Sequence, residues 1–340
     1  MKKTVVLVYV IVISLVFNYA AFAGPYDKLQ PLALRFGSGY SLGTAGDHWG
    51  EAFCKHIREV TNGKITVAYF PNSQLGVDSE MQTQMQNGDL DILICQPGQT
   101  TTFVPAVAVY DLPLIFAKYN AAQIDKALNH SNFTKLMNKK YAESNMICLG
   151  YLQGGTFRVM TSNKKISSIT DFKGIKIRTM NSPNHVAFWK ALGCNPTPLS
   201  FTELYLSLQQ GVVEAQENAN DTNLAGNFQE VQKYLVNTRH ILFMTQFLMN
   251  KKKFDSLAPA YQDAIRKALA MSTKDIAPNL TKIDKDCCNK LVKGGMTNLT
   301  FDDKFYDSLL KAARPVYSLI RNKIGGEIID ALTTALKTGK

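Results

Sequence analysis

From Leu32 onward, short apolar or alternating runs trade places with longer stretches whose apolar residues recur every three or four positions. These are the signatures of strands and amphipathic helices. "LALRFG" predicts a strand, "DHWGEAFCKHIREVTNG" a helix stopped at Gly63, and "KITVAYF" a second strand. "SEMQTQMQNG" predicts a helix closed by Gly88, and "DLDILIC" a buried strand. "NMICLGYL" and "FRVMTS" continue the sheet signal on either side of Gly154 and Gly155. In "FKGIKIRTM", Ile175 and Ile177 alternate with Lys176 and Arg178, which predicts a half-buried strand ending on an arginine. Ser182 and Pro183 then suit the N-cap and first turn of a helix ending at Gly193. Pro196 and Pro198 predict an extended linker. Ser200 and Glu203 form a capping box for "FTELYLSLQQ", which Gly211 stops before the strand "VVEAQ". The remainder is mostly helical, with one segment, "AYQDAIRKALAMSTKDIAPNLTKIDKDCCNKLVKGG", too long for a small helix pair. Strands alternating with helices define an α/β chain.

The first residues follow a different pattern. Lys2 and Lys3 precede the apolar run "TVVLVYVIVISLVF", and "AFA" at Ala21 to Ala23 supplies small residues for cleavage before Gly24. That is the layout of a secretory signal peptide, 1–23, and the run is shorter than the ~20 residues a spanning helix needs. No cysteine precedes Cys54, which excludes a lipid anchor at the cleavage point. The expected product is an exported protein, cleaved after Ala23 and freely soluble. Its length suits two domains better than one core.

The formal charge is +11, or +9 once the two leader lysines are removed. Acids and lysines are interspersed, and the one tight basic cluster, Lys251 to Lys253, has no aromatic neighbours between its charges. A nucleic-acid stripe is therefore unsupported, while a general attraction for anions remains. The six cysteines do not form a dense disulfide framework, and Cys95 and Cys148 sit in apolar runs that suit core positions. No Cys/His zinc spacing or HExxH occurs, so neither a metal nor a cofactor is expected.

"TQMQNGDLDILICQ" and "LSLQQGVVEAQEN" share a plan: a Gln-rich helix, a glycine stop, a strand with one acid, then polar residues. Open α/β sheets place ligands beyond the carboxyl ends of their strands. Two such sheets facing each other bring Gln96, Asn218 and Arg178 to one cleft. "GYSLG", Gly39 to Gly43, matches the G-x-S-x-G elbow of serine hydrolases, but it follows the first strand with no preceding half-sheet. The same loop misses the dinucleotide fingerprint by one residue, though Ser38 and Gly39 suit close backbone approach to a ligand. The histidines suit surface positions, with His48 the exception because it starts a helix that faces the cleft. Phe188 and Trp189 suit core packing.

The stretch "GIKIRTMNSPNHVAFWKALGCNPTPLSFTELYLSLQQGVVEAQENAN" resembles the solute-binding proteins of tripartite ATP-independent periplasmic (TRAP) transporters, in their dicarboxylate-binding branch. "TNGKITVAYFPNSQLG", "YDLPLIF" and "EVQKYLVNTRHI" extend the resemblance over nearly all of the mature chain. It implies a two-domain periplasmic-binding-protein fold of type II, with mixed sheets, an interdomain ligand cleft and a long C-terminal hinge-spanning helix. Domain I would comprise 24–153 plus about 243–283, and domain II 154–242 plus about 284–335.

The resemblance also places the family's carboxylate-binding arginine on Arg178 and its more variable arginine on Arg158. Asn218 and Phe201 take two further ligand positions. Gln96, Asp78 and Ser38 or Gly39 fall where relatives differ and ligand identity is read. It implies a monomer that binds a small carboxylate and passes it to the small and large subunits of a TRAP permease.

These positions offer groups that bind rather than react, so an enzyme is not expected. An exported hydrolase or lyase using the same cleft is the competing class, and a sensor subunit a third. A sugar acid or a C4-dicarboxylate suits the predicted residues. An aromatic or amino-acid-derived acid is the alternative, given Phe201 and Trp49.

Overall fold

A computed structural model describes residues 25–338, so the leader predicted over 1–23 lies outside the described residues. Among the described residues eleven strands occur in chain order: β1 (Leu32–Ser38), β2 (Ile65–Phe70), β3 (Ile92–Cys95), β4 (Met146–Phe157), β5 (Val159–Ser162), β6 (Lys176–Thr179), β7 (Asn195–Pro198), β8 (Ala215–Asn218), β9 (Tyr234–Val236), β10 (Leu242–Asn250) and β11 (Thr297–Leu299). They form two mixed sheets flanked by helices, one ordered β2-β1-β3-β10-β4 and the other β11-β9-β5-β8-β6-β7. Each sheet anchors one lobe.

The lobes are joined by strands. β4 belongs to the first sheet and β5 to the second, with Arg158 alone between them. β10 returns antiparallel along β4, from Leu242 opposite Phe157 to Asn250 opposite Met146. Gly155 lies inside β4 at φ +67°, and a Cβ there would meet the backbone nitrogen of Ala121 at 3.1 Å. Glycine satisfies both demands at once.

A third crossing is helical. Pro259–Ile276 packs on Ala45–Val60 in the first lobe, and Leu280–Lys293 packs on Asn220–Ala225 in the second. The 3₁₀ turn Ala277–Asn279 breaks the segment at Pro278, whose missing N–H and ring clash interrupt an α-helix. The final helix, Glu327–Thr338, packs against Ala121–Leu128 and Ser131–Glu143 of the first lobe. Its buried Ile328, Leu332 and Leu336 cover their apolar faces, so the C-terminal part of the expected second domain is shared between lobes.

Two expectations change. Pro196 and Pro198 lie in β7, an edge strand parallel to β6, not in a linker. An edge tolerates proline because its outward N–H has no ladder partner to lose. Glu203 Oε2 accepts from the Ser200 N–H at 3.1 Å and from the Ser200 hydroxyl, which is half of the predicted box, and the regular helix starts only at Leu204.

Phe36, Phe53 and Phe247 pack together in the first lobe, and Phe188 and Trp189 are fully buried in the second. All six cysteines are free. Among the described residues no helix is long and apolar enough to cross a membrane.

Candidate functional site: a cleft with one uncompensated guanidinium

The carboxyl ends of β1, β3, β6 and β8 converge between the lobes on a cavity with about 440 Å³ of empty space. Gly39, Tyr40, Asp78, Gln96 and Gln99 line it from the first lobe. Arg178, Met180, Phe201, Asn218 and Thr222 line it from the second, and Arg158 stands at the crossing. A wider mouth of about 1090 Å³ opens in front, between Ser73 and Glu203.

Arg178 comes from the buried end of β6 and is only 3% exposed. Its Nε and Nη2 donate to the same acceptor, the carbonyl of Leu199, at 2.9 and 2.7 Å. Leu199 follows β7, and its N–H donates to the carbonyl of Thr179 at 3.1 Å. The proline-bearing edge strand thus aims a carbonyl at the guanidinium and sets its plane. Among the described residues Arg178 takes part in no ion pair. Burial brings its pKa down to about 10, against the pull of Glu217 and Asp78, so it remains charged at neutral pH. A buried cation held by a neutral carbonyl is expensive unless an anion joins it.

Arg158 is the opposite case. Its Nε and Nη2 bond the carboxylate of Glu217, Nη2 also reaches the Glu217 carbonyl at 2.6 Å, and Nη1 donates to Oε1 of Gln96. Glu217 is fully buried in β8. It also meets His240 Nε2 at 2.9 Å and His185 Nδ1 at 3.3 Å. Burial alone would raise the Glu217 pKa, but Arg158 and His185 hold it well below the usual carboxylate range. His185 reaches Asp111 of the first lobe at 3.3 Å. Burial opposes its protonation, yet Asp111 and Glu217 raise its pKa to about 9. His240 is pushed below its ordinary value, chiefly by burial.

The remaining wall is polar. Gln99 Nε2 donates to Asp78 Oδ2 at 2.5 Å. Burial raises the Asp78 pKa to about 6, with Gln99 and Arg178 pulling it down, so the group is largely ionised at pH 7. A Cβ on Gly39 would lie 2.8 Å from Asp78 Oδ1, so glycine is what lets the carboxylate rest over the backbone there. Asn218 lines the cavity and donates one amide hydrogen to Gln216 Oε1 at 3.0 Å.

Arg178, Arg158, Asn218, Phe201, Gln96 and Asp78 are therefore brought together as the sequence implied, and two predicted residues are not. Ser38 is fully buried behind the wall, where its hydroxyl accepts from the Tyr40 N–H at 3.1 Å, and Gly39 takes the lining place. His48 lies on the outer face of Ala45–Val60, half exposed and 3.2 Å from Glu51. The inner face of that turn is taken by Asp47, Trp49 and Gly50. Trp49 packs on Phe247 and donates to Thr273 at 3.0 Å, so it belongs to the lobe core.

Sequence reasoning missed the Glu217 network. His185 and His240 are buried rather than surface imidazoles, and the available signal was an acid inside a strand, "VVEAQEN". Ser41 lines the cavity, but among the described residues its hydroxyl has no hydrogen-bonded base, as the elbow motif would need.

Residues 43–323 match the family model described as bacterial extracellular solute-binding protein, family 7 (DctP), and the chain belongs to that family. It is 29% identical to the sialic acid-binding periplasmic protein SiaP of Vibrio cholerae, over 88% of this chain and 91% of that one. Its fold is similar to that of the sugar acid binding protein DctPAm of Advenella mimigardefordensis in complex with galactonate. There the TM-score is 0.86 and the identity 27%, over 92% of this chain and all of the other. It is also similar to a TRAP periplasmic solute binding protein of Sulfurospirillum deleyianum with bound succinate. That comparison gives a TM-score of 0.81 and 27% identity, over 89% and 99% of the two chains.

Proposed function

We propose that this TRAP-type solute-binding protein captures a small organic acid by its carboxylate on Arg178 and delivers it, unchanged, to the small and large subunits of a TRAP permease. The observation that carries the reading is a guanidinium 3% exposed, fixed by the Leu199 carbonyl and lacking any ion pair among the described residues. A carboxylate presents two oxygens that match the planar fork of arginine, and lobe closure removes the water that would weaken the pair. Arg158, Asn218, Phe201, Gln96 and Asp78 form the rest of the binding wall. The relatives' printed ligands, a sialic acid, galactonate and succinate, are all carboxylates and support the same chemistry.

Export across the inner membrane, with cleavage after Ala23, is part of the reading, and mass spectrometry of the mature N-terminus tests it. Calorimetric titration with an organic-acid set tests the binding itself. The expected result is saturable binding that Arg178→Ala abolishes or weakens strongly, with the acid recovered unchanged. Turnover of the acid, or unaltered affinity in the variant, would overturn it.

A further inference from the structure

The helix Ala45–Val60 starts without a side-chain cap from its own lobe. Thr44 holds the N-cap position in extended conformation, but its hydroxyl turns back to the Ser41 carbonyl at 2.8 Å. Asp47, the acid of the first turn, spends one oxygen on the Gly43 N–H at 2.8 Å and the other on the Tyr69 hydroxyl at 3.1 Å. The Ala45 N–H, one of the orphan donors at a helix start, is met from the opposite lobe instead, by Asp221 Oδ2 at 3.1 Å. Asp221 lies in the short helix after β8 and is 7% exposed. Its Oδ1 accepts from the N–H and hydroxyl of Thr222 at 2.6 and 3.1 Å, which fixes the carboxylate in its own lobe and leaves Oδ2 to reach across. Burial raises the pKa of Asp221, and the bond from Ala45 opposes that rise most. Thr222 lines the ligand cavity, and Asp221 beside it does not.

We infer that Asp221 is a closure latch: without touching the ligand, it caps the helix Ala45–Val60 of the opposite lobe when the cleft shuts, and so prolongs the loaded state. The inference rests on carboxylate capture between the lobes. A helix start carries partial positive charge, which suits a carboxylate, and the bond is directional enough to be lost when the lobes swing apart. On opening, both groups return to water. The latch is therefore worth what a helix cap is worth, not what a bare ion pair would be. It holds the closed form without locking it, as a protein that must release its cargo requires.

Surface plasmon resonance on the immobilised protein, with D-galactonate, D-galacturonate and succinate, tests this through association and dissociation rates. Asp221→Asn keeps an oxygen for Thr222 and turns an amide N–H toward that of Ala45, so it removes the cross-lobe bond alone. Ala45→Pro deletes the donor from the other side, at the first helical position, where proline is well tolerated. The preceding Thr44, at φ −77° and ψ 162°, already has the backbone that a residue before proline needs. Each variant should speed dissociation of the tightest-bound acid roughly two- to thirtyfold, and leave its association within about twofold of wild type. The double variant should dissociate no faster than the faster single one, because the same bond cannot be lost twice. Unchanged dissociation in either single variant, an effect on association alone, or additive effects in the double would overturn the latch. Capture would stand in those cases, provided Arg178→Ala loses binding. Binding of none of the three acids, or binding indifferent to Arg178→Ala, would overturn the capture reading and the latch with it.

Discussion

Arg158 and Arg178 line the same cavity and are almost equally buried, yet the protein supplies a counter-charge to one and a lone carbonyl to the other. Around Arg158, Glu217, His185 and Asp111 form a closed polar network deep between the lobes. Arg178 faces an open cavity with its charge unspent. The contrast is between a network whose charges balance within the protein and which links the lobes through His185 and Asp111, and a guanidinium that the proposed carboxylate would complete.

The sharpest way to break the comparison is to remove charge from the complete side. Glu217→Gln leaves Arg158 buried without its anion, which should cost about 3–5 kcal/mol of folding stability. Denaturant unfolding of the ligand-free protein measures it. Replacing both partners with apolar residues, Arg158→Met with Glu217→Leu, should recover much of that loss, because no uncompensated charge remains. A double variant as unstable as Glu217→Gln would show that the pair does more than balance charge.

The incomplete side should respond in the opposite sense. Arg178→Ala should weaken ligand binding by about 2–5 kcal/mol, roughly thirty- to several-thousand-fold. Ligand-free stability should stay level or rise, since a costly buried charge has gone. A large stability loss in the same variant would mean that Arg178 is structural, and the contrast with Arg158 would collapse.

Acid–base behaviour sharpens the contrast further. His185 has its folded pKa raised to about 9, above an unfolded value of about 6.5. Its contribution is therefore full below pH ~6.5 and lost as pH rises through about 9, and the melting temperature of the ligand-free protein should fall across that window. The slope should vanish in His185→Gln. Ligand capture by Arg178, still charged well above neutrality, should change little between pH 7 and 8 for an acid ionised throughout, because Asp78, with its pKa at about 6, titrates mainly below that window.

These two regions also divide what was legible in the chain from what was not. Strand–helix alternation, the glycine stops and the echo between the β3 and β8 segments are local patterns, and they placed Gln96, Asn218 and Arg178 at converging strand ends. The Glu217 network depends on residues far apart in sequence: His185 and Asp111 meet across 74 positions, and His240 comes from the return crossing. Nothing in a short window distinguishes such a histidine from a surface one. The prolines of β7 misled for a related reason, since they are excluded from interior strands but not from edges, and edge position is a tertiary fact.

The smallest expected effect concerns His48. Its place near the start of Ala45–Val60 suggested a cleft-facing imidazole, because the first turn of a helix after a strand end often borders the ligand. The helix does begin at the cleft side, where the Ala45 N–H donates to Asp221 of the other lobe at 3.1 Å. Three residues on, however, the winding of the helix has carried the side chain to the outer face, beside exposed Glu51. An exposed pair of this kind is worth roughly 0–1 kcal/mol. His48→Ala should therefore leave ligand affinity unchanged within about 0.5 kcal/mol and shift stability by no more than that, as surface substitutions generally do. Calorimetry and melting of the variant check both. A tenfold loss of affinity would place His48 in the binding wall, and the wall would then extend around the helix start beyond Asp78 and Gln99.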